Sequence, residues 1–162
     1  PMFGKISSKF FLKNKNISFP FSELALKVNK KMTVNSLNLI KEKFKKSLNN
    51  KKILVVGMAY KNDVGDLRDS PSLSLINQLK KLNPKLFFYD PLVDDQFKNV
   101  EKVDKIKGFY DIVLLCVRHK SFKNFSFLKF NKMKKTVFFD LNNVFNSKEL
   151  KKINKIYKLS YS

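Results

Sequence analysis

Between Gly57 and Ser70 the chain reads GMAYKNDVGDLRDS, which sets two cations, Lys61 and Arg68, among the carboxylates Asp63, Asp66 and Asp69. Cations just ahead of a helix amino terminus can hold a phosphate or pyrophosphate. Lysine acts there as a point charge and arginine as a planar fork, with the amides near Ser70 adding donors. The same residues can instead neutralise one another and leave a solvated loop. Charge pattern alone leaves both readings open. A glycine cradle is excluded: there is no G-x-G-x-x-G, and Met58, Ala59 and Tyr60 after Gly57 block the usual phosphate approach. Of 34 basic residues only Arg68 and Arg118 are arginine, and an arginine kept in so lysine-rich a chain suits a task that needs a forked donor.

Three further residues carry reactive groups. Asp90 closes an apolar run and precedes Pro91. A dinucleotide fold places its ribose-binding carboxylate at such a position, but about 20 residues after the glycines, and Asp90 lies further on. A capping or loop-fixing role is expected for it. His119 is the only histidine, so no histidine-based metal site is available, and a structural or exposed role is expected ahead of ligand contact. Cys116 sits inside an apolar run, where it reads as a small core residue rather than a nucleophile. No Ser/His/Asp set or paired carboxylates emerge, and no catalytic residue is expected within this chain.

The elements that must position these groups alternate. A strand is expected at Lys52–Val56, then a helix from Pro71 to about Leu82 capped by Ser70 with proline at its first position. Further strands are expected at KLFFYD ending in Asp90, at Asp111–Val117, at TVFFD ending in Asp140 and near IYKLSY. Helical stretches are expected over about 94–106, weakly before Lys135, and over Ser147–Ile153. Ahead of these, apolar residues at three-to-four-residue spacing predict a helix from Ser22 to about Leu48, of about 27 residues and about 40 Å. Such a helix is too long to pack fully on a domain this small, which points to a connector or subunit-contact role. Near-continuous apolar strands alternating with helices imply an α/β fold: a doubly wound, mostly parallel, Rossmann-like sheet preceded by a long helix. Ligands of such sheets sit beyond the carboxyl ends of the strands. The loops to inspect are therefore Gly57–Ser70, Asp90–Asp94, Arg118–Phe122 and Leu141–Asn146.

Bulk composition narrows the classes. The 162 residues are 43% hydrophobic, enough for one core, and one cysteine excludes an internal disulfide framework. No apolar run reaches a membrane span and no signal-peptide pattern opens the chain, so no membrane partner and a cytoplasmic location are expected. The net charge of +21 raises nucleic acid as a partner, yet the lysines are spread evenly and the aromatics sit in apolar runs. A solvated lysine-rich surface is the preferred reading. The chain opens on Pro1, which suggests a piece of a longer protein.

ILVVGMAYKNDVGDLRDSPSLSLI resembles the opening of the C-terminal domain of nucleotide-sugar 6-dehydrogenases, the UDP-glucose/GDP-mannose dehydrogenase family, written there as strand, G-x-[AS]-[FY]-K, then D-x-R-[ED]-S and an apolar helix. FFYDPLV, DIVLLCVRHKSF and FFDLNNVF resemble later family motifs, and FSELALKVNKKM resembles its linking helix. The resemblance implies oxidation of the C6 hydroxyl of a UDP-hexose, UDP-glucose or a UDP-N-acetylhexosamine, to its uronic acid by NAD+. It implies that Tyr60 and Lys61 contact the sugar nucleotide and that Arg68 reaches toward the NAD+ phosphates. It also implies that residues 1–50 form a linking and dimerisation segment, that 51–162 form the nucleotide-sugar-binding domain, that NAD+ sits on an N-terminal domain of the same protein, and that the catalytic cysteine belongs to a segment just before Pro1. Cys116 is not that cysteine. The family's D-x-R-N arginine is Asn142 here, which removes one cation from the nucleotide side. The alternatives are a non-catalytic nucleotide-binding module or, further off, a basic nucleic-acid-binding domain.

Overall fold

The computed structural model describes residues 20–124, 135–144 and 155–159. Six parallel strands form one sheet: β1 (Lys52–Val56), β2 (Lys85–Tyr89), β3 (Val100–Lys102), β4 (Ile112–Leu115), β5 (Val137–Asp140) and β6 (Ile156–Lys158), in the order β3-β2-β1-β4-β5-β6. Among the described residues two helices accompany them, α1 (Pro20–Phe44) and α2 (Pro71–Leu79), the latter running on into a 3₁₀ turn at Lys80–Leu82. This is the doubly wound order, with its switch point between β1 and β4. Every neighbouring pair is parallel, so the expected mostly parallel sheet is parallel throughout the described strands.

Strand residues alternate between two cores, as a period of two requires. Ile53, Val55, Phe88, Ile112, Leu114 and Phe139 face the helices and pack with Ile40 of α1 and Leu75, Ile76 and Leu79 of α2. Leu54, Val56, Val113, Leu115 and Phe138 face the other side and meet Tyr110, Phe122 and Val144. All four residues of β4 and of β5 are buried, which is why both read as continuous apolar runs in the sequence.

Ser70 caps α2 as expected. Its hydroxyl accepts from the Leu73 amide at 3.2 Å and donates to the Met58 carbonyl at 2.6 Å, tying the helix start to the end of β1. Helix α1 begins at Pro20 rather than Ser22 and stops at Phe44 rather than Leu48. Proline is tolerated in a first turn because its missing N–H has no helical partner there. At the far end Lys45 turns left-handed, with φ of 54°. Only the carboxyl-terminal part of α1 is seated, with Thr33, Ser36 and Ile40 buried, whereas Phe21, Leu24 and Val28 are 88%, 58% and 48% exposed.

The expected helix over 94–106 is absent. That segment holds the half-exposed edge strand β3, which exists through its parallel pairing with Leu86–Phe88 of β2. The helix expected at Ser147–Ile153 and most of the weak helix before Lys135 fall outside the described residues; Lys120–Asn124 forms a 3₁₀ turn.

Candidate functional site

The turn after β1 is built around Gly57. Its φ is +84°, and a Cβ at this position would lie 2.4 Å from the Val117 carbonyl oxygen, so the two strand ends at the switch point approach through glycine. From there the chain makes a closed excursion to α2. The Tyr60 amide donates to the Asp66 carbonyl at 2.7 Å, and the Ser70 amide to the Leu67 carbonyl at 3.1 Å. Gly65 lies against the loop after β2, where a Cβ would come 2.1 Å from the Leu92 carbonyl oxygen.

Asp90 anchors this turn from beneath. Its side chain is buried, 1% exposed. Oδ2 accepts from the Met58 amide at 2.7 Å and the Ala59 amide at 3.2 Å, while Oδ1 accepts from the Leu92 amide at 2.9 Å. His119, fully buried, stands 3.0 Å from Asp90 Oδ2 through Nε2. Its Nδ1 accepts from the Asp63 amide at 2.9 Å, so Nδ1 is the bare nitrogen and Nε2 carries the hydrogen that goes to Asp90. The Asp63 carboxylate in turn accepts from the Lys120 amide at 2.6 Å. Burial acts to raise the Asp90 pKa, but hydrogen bonds from His119, Leu92 and Met58 together outweigh it and hold the carboxyl below its ordinary value. The loop-fixing role expected of Asp90 is what the structure shows, and His119 is structural.

The two cations of the turn differ. Lys61 is exposed, next to Tyr60, which is 40% exposed. Arg68 grips Asp66 in a fork, Nε to Oδ1 at 2.9 Å and Nη2 to Oδ2 at 2.7 Å. The Arg68 side-chain hydrogen bond, then its backbone amide, lower the Asp66 carboxyl to about 2. Asp63 turns away from Lys61 toward Lys120, whose Nζ lies 3.6 Å from Oδ2. Local neutralisation thus occurs at Arg68, whose fork takes Asp66. Cys116 is a core residue: burial pushes its thiol up to about 12, which leaves no thiolate for attack.

A cavity of about 50 Å³ lies between α1, the start of α2 and the ends of β4 and β5, with Tyr60, Ser72, Cys116 and Asn142 in its lining. Beside it, a hollow of about 210 Å³ separates Asn29, Lys30 and Thr33 of α1 from Asp69, Ser70 and Ser74. Tyr60 and Asn142 thus meet at one cavity, while Lys61 and Arg68 stand outside both linings. The small cavity falls short of the roughly 300–1,000 Å³ of a small-molecule site. A hollow of about 420 Å³ lies at the opposite, amino edge of the sheet, around Phe44, Phe109 and Lys51, away from all these groups.

The amides of Met58 and Ala59, which would face a pyrophosphate in a glycine cradle, are both spent on Asp90. The turn after β1 therefore does not fit a dinucleotide on its backbone. Among the described residues no group of three or more His, Cys, Asp or Glu could hold a metal ion, and no helix is long and apolar enough to cross a membrane.

A parallel sheet wound in both directions from β1 and β4, with its functional loops gathered beyond their carboxyl ends, defines a nucleotide-binding α/β protein of Rossmann-like type. Residues 54–147, more than half of the chain, match the UDP binding domain of the UDP-glucose/GDP-mannose dehydrogenase family, and the chain belongs to that family. It is 27% identical to UDP-glucose 6-dehydrogenase 2 of Arabidopsis thaliana, the match covering 79% of this chain and 33% of that protein. It is 26% identical to UDP-N-acetyl-D-mannosamine dehydrogenase of Methanococcus vannielii, covering 88% of this chain and 35% of that protein. Among solved structures, the UDP-N-acetyl-mannosamine dehydrogenase of Staphylococcus aureus superposes with a TM-score of 0.54 at 29% identity, over 80% of this chain and 29% of that one. The UDP-D-ManNAc dehydrogenase of Pyrococcus horikoshii shares the fold with a TM-score of 0.63 at 23% identity, over 84% of this chain and 33% of that one. The chain spans about a third of the length of the curated relatives it matches.

Proposed function

We propose that this chain is the nucleotide-sugar-binding part of an NAD-dependent dehydrogenase that oxidises a UDP-hexose, UDP-glucose or a UDP-N-acetylhexosamine, to its uronic acid. Residues 51–162 form the binding domain, and residues 1–50 link it to the catalytic-cysteine segment and the NAD-binding domain of the same protein. The sugar nucleotide lies across the carboxyl edge of the sheet, with Tyr60 against its apolar surface and Lys61 on its diphosphate. Arg68, already forked onto Asp66, offers a cation to the NAD+ phosphates from the rim of the cleft. NAD+ supplies hydride acceptance; within this chain the work is binding and orientation.

One observation carries this reading: Tyr60 and Lys61 are presented outward on a turn whose flanking amides are tied inward. A turn whose backbone is already fixed gives up little further backbone freedom when a diphosphate arrives. The apolar stripe of Phe21, Leu24 and Val28 on α1 supports a homodimer formed through that helix. The enzyme works in the cytoplasm, where sugar nucleotides are made.

Calorimetric titration of the chain with UDP, UDP-glucose, UDP-N-acetylmannosamine and GDP-mannose tests the proposal. A UDP-sugar is expected to bind, and Lys61→Ala to weaken it. Binding of none of the four, or equal binding by the variant, would overturn the assignment.

A further inference from the structure

We propose that Asp90 and His119 are positioning residues for the substrate, acting through the backbone of the turn that carries Tyr60 and Lys61. The inference rests on the proposed nucleotide-sugar site. It starts from where the two side chains spend their hydrogen bonds. Asp90 takes the amides of Met58 and Ala59, the two residues directly before Tyr60. His119 takes the amide of Asp63, two residues after Lys61. The pair is joined by the Nε2–Oδ2 contact of 3.0 Å, with both side chains fully shielded from solvent. Tyr60 and Lys61 are thus bracketed, on one side and the other, by backbone amides tied to a single buried unit.

That unit comes from two other strands. Asp90 follows β2 and His119 follows β4, so the turn is held by the neighbours of β1 on both sides. Leu92, whose amide closes the same carboxylate, supplies the carbonyl against which Gly65 rests. The amide of Lys120, next to His119, donates to the Asp63 carboxylate. A core acid–imidazole pair that served stability alone could bond to any part of the fold. Here the pair's bonds to Met58, Ala59 and Asp63 all go to the turn that displays the ligand groups. The neutral imidazole is needed in one tautomer, because Asp63 N–H must find a bare nitrogen while Asp90 must find a hydrogen. A side chain with only one of these functions frees one side of the bracket.

The test is a double-substitution cycle on the complete chain, read by calorimetry with UDP-glucose and UDP-N-acetylmannosamine. His119→Gln places an amide nitrogen where Nε2 stands and keeps a donor for Asp90; His119→Asn places an oxygen where Nδ1 stands and keeps an acceptor for Asp63. Each variant retains one bond and is checked for folding by circular dichroism below its melting transition. Each is expected to bind about 10- to 100-fold more weakly, the scale set by small misplacements of a positioned group. Amide exchange is expected to accelerate at Asp63 in the Gln variant and at Met58 and Ala59 in the Asn variant. Because both substitutions act through the turn that carries Tyr60 and Lys61, combining either with Lys61→Ala is expected to lose less than the product of the two separate losses. Losses that multiply fully, or wild-type affinity in both folded variants, would overturn the positioning role and leave the binding site standing. Failure of the unsubstituted chain to bind any nucleotide sugar would instead overturn the site and this inference with it.

Discussion

Two aspartates close strands at the same edge of the sheet, Asp90 after β2 and Asp140 at the end of β5, and both are buried. Their surroundings differ. Asp90 accepts three backbone amides besides its contact with His119. Asp140 accepts the Val144 amide through Oδ1 at 2.7 Å, while its Oδ2 has no hydrogen-bond partner among the described residues. A buried polar network that is fully satisfied rigidifies what it touches, and one left half-satisfied detracts from stability. The turn after β1 is thus tied through Asp90 and His119 to the loops after β2 and β4, while the 141–144 turn, which carries Asn142, is held among the described residues by the Val144 amide on Asp140, the Arg118 Nη1 contact to the Val144 carbonyl at 3.3 Å and the Leu141 amide on the Leu115 carbonyl at 3.0 Å. The two anchors differ in whether both carboxylate oxygens are satisfied.

The largest expected effect breaks the stronger anchor. Asp90→Ala strands the donors of Met58, Ala59, Leu92 and His119, and should cost about 3–5 kcal/mol in urea unfolding. Retention of wild-type stability would remove the distinction between the two aspartates. The same anchor sets an acid limb. The folded-state pKa of Asp90 lies below its ordinary value, so its contribution is complete above the unfolded value of about 3.9 and lost as pH falls through the folded one. Ellipticity followed from pH 5 to pH 2 should show that loss in the wild type, and Asp90→Asn should flatten it.

Next in size comes the group the anchored turn displays. Lys61→Ala should weaken UDP-sugar binding by about 1.5–3 kcal/mol, the range for a charged hydrogen bond. On the opposite side, Asn142→Arg puts back the cation of the family motif beside Tyr60. It should tighten binding by about 1–2 kcal/mol in the same titration, and no gain would mean that this side does not face the diphosphate. The smallest effect is reserved for the weaker anchor. Asp140→Asn keeps the acceptor for Val144 and replaces the unpartnered oxygen, so its unfolding free energy should stay within about 1 kcal/mol of wild type.

Local signals made much of this legible. β1, the Ser70 cap with Pro71, and the turn residue Asn83 (φ 52°) ahead of Pro84 are written in consecutive residues. The apolar runs that became β4 and β5 declare their burial by lacking polar interruptions. The misreading at 94–106 had a physical cause: β3 is three residues long and half exposed, and only its pairing to β2 makes it a strand. For the site, Gly57 and the outward Lys61 could be read from residue type and order. The bracket around them could not. Asp63 and His119 are 56 residues apart, Met58 and Asp90 are 32, and no spacing rule joins such pairs before the sheet order is known. Nor does residue type alone reveal that Gly65 packs on the Leu92 carbonyl, since Leu92 belongs to the loop after β2.

That packing of Gly65 on the Leu92 carbonyl limits how such a protein can diversify. With no room for even a methyl group at the midpoint of the excursion, any side chain at position 65 would push Leu92 away and shift the loop after β2 with it. Under the proposed function, changes of sugar preference are then better sought in the outward side chains at positions 60, 61 and 142 than at 65.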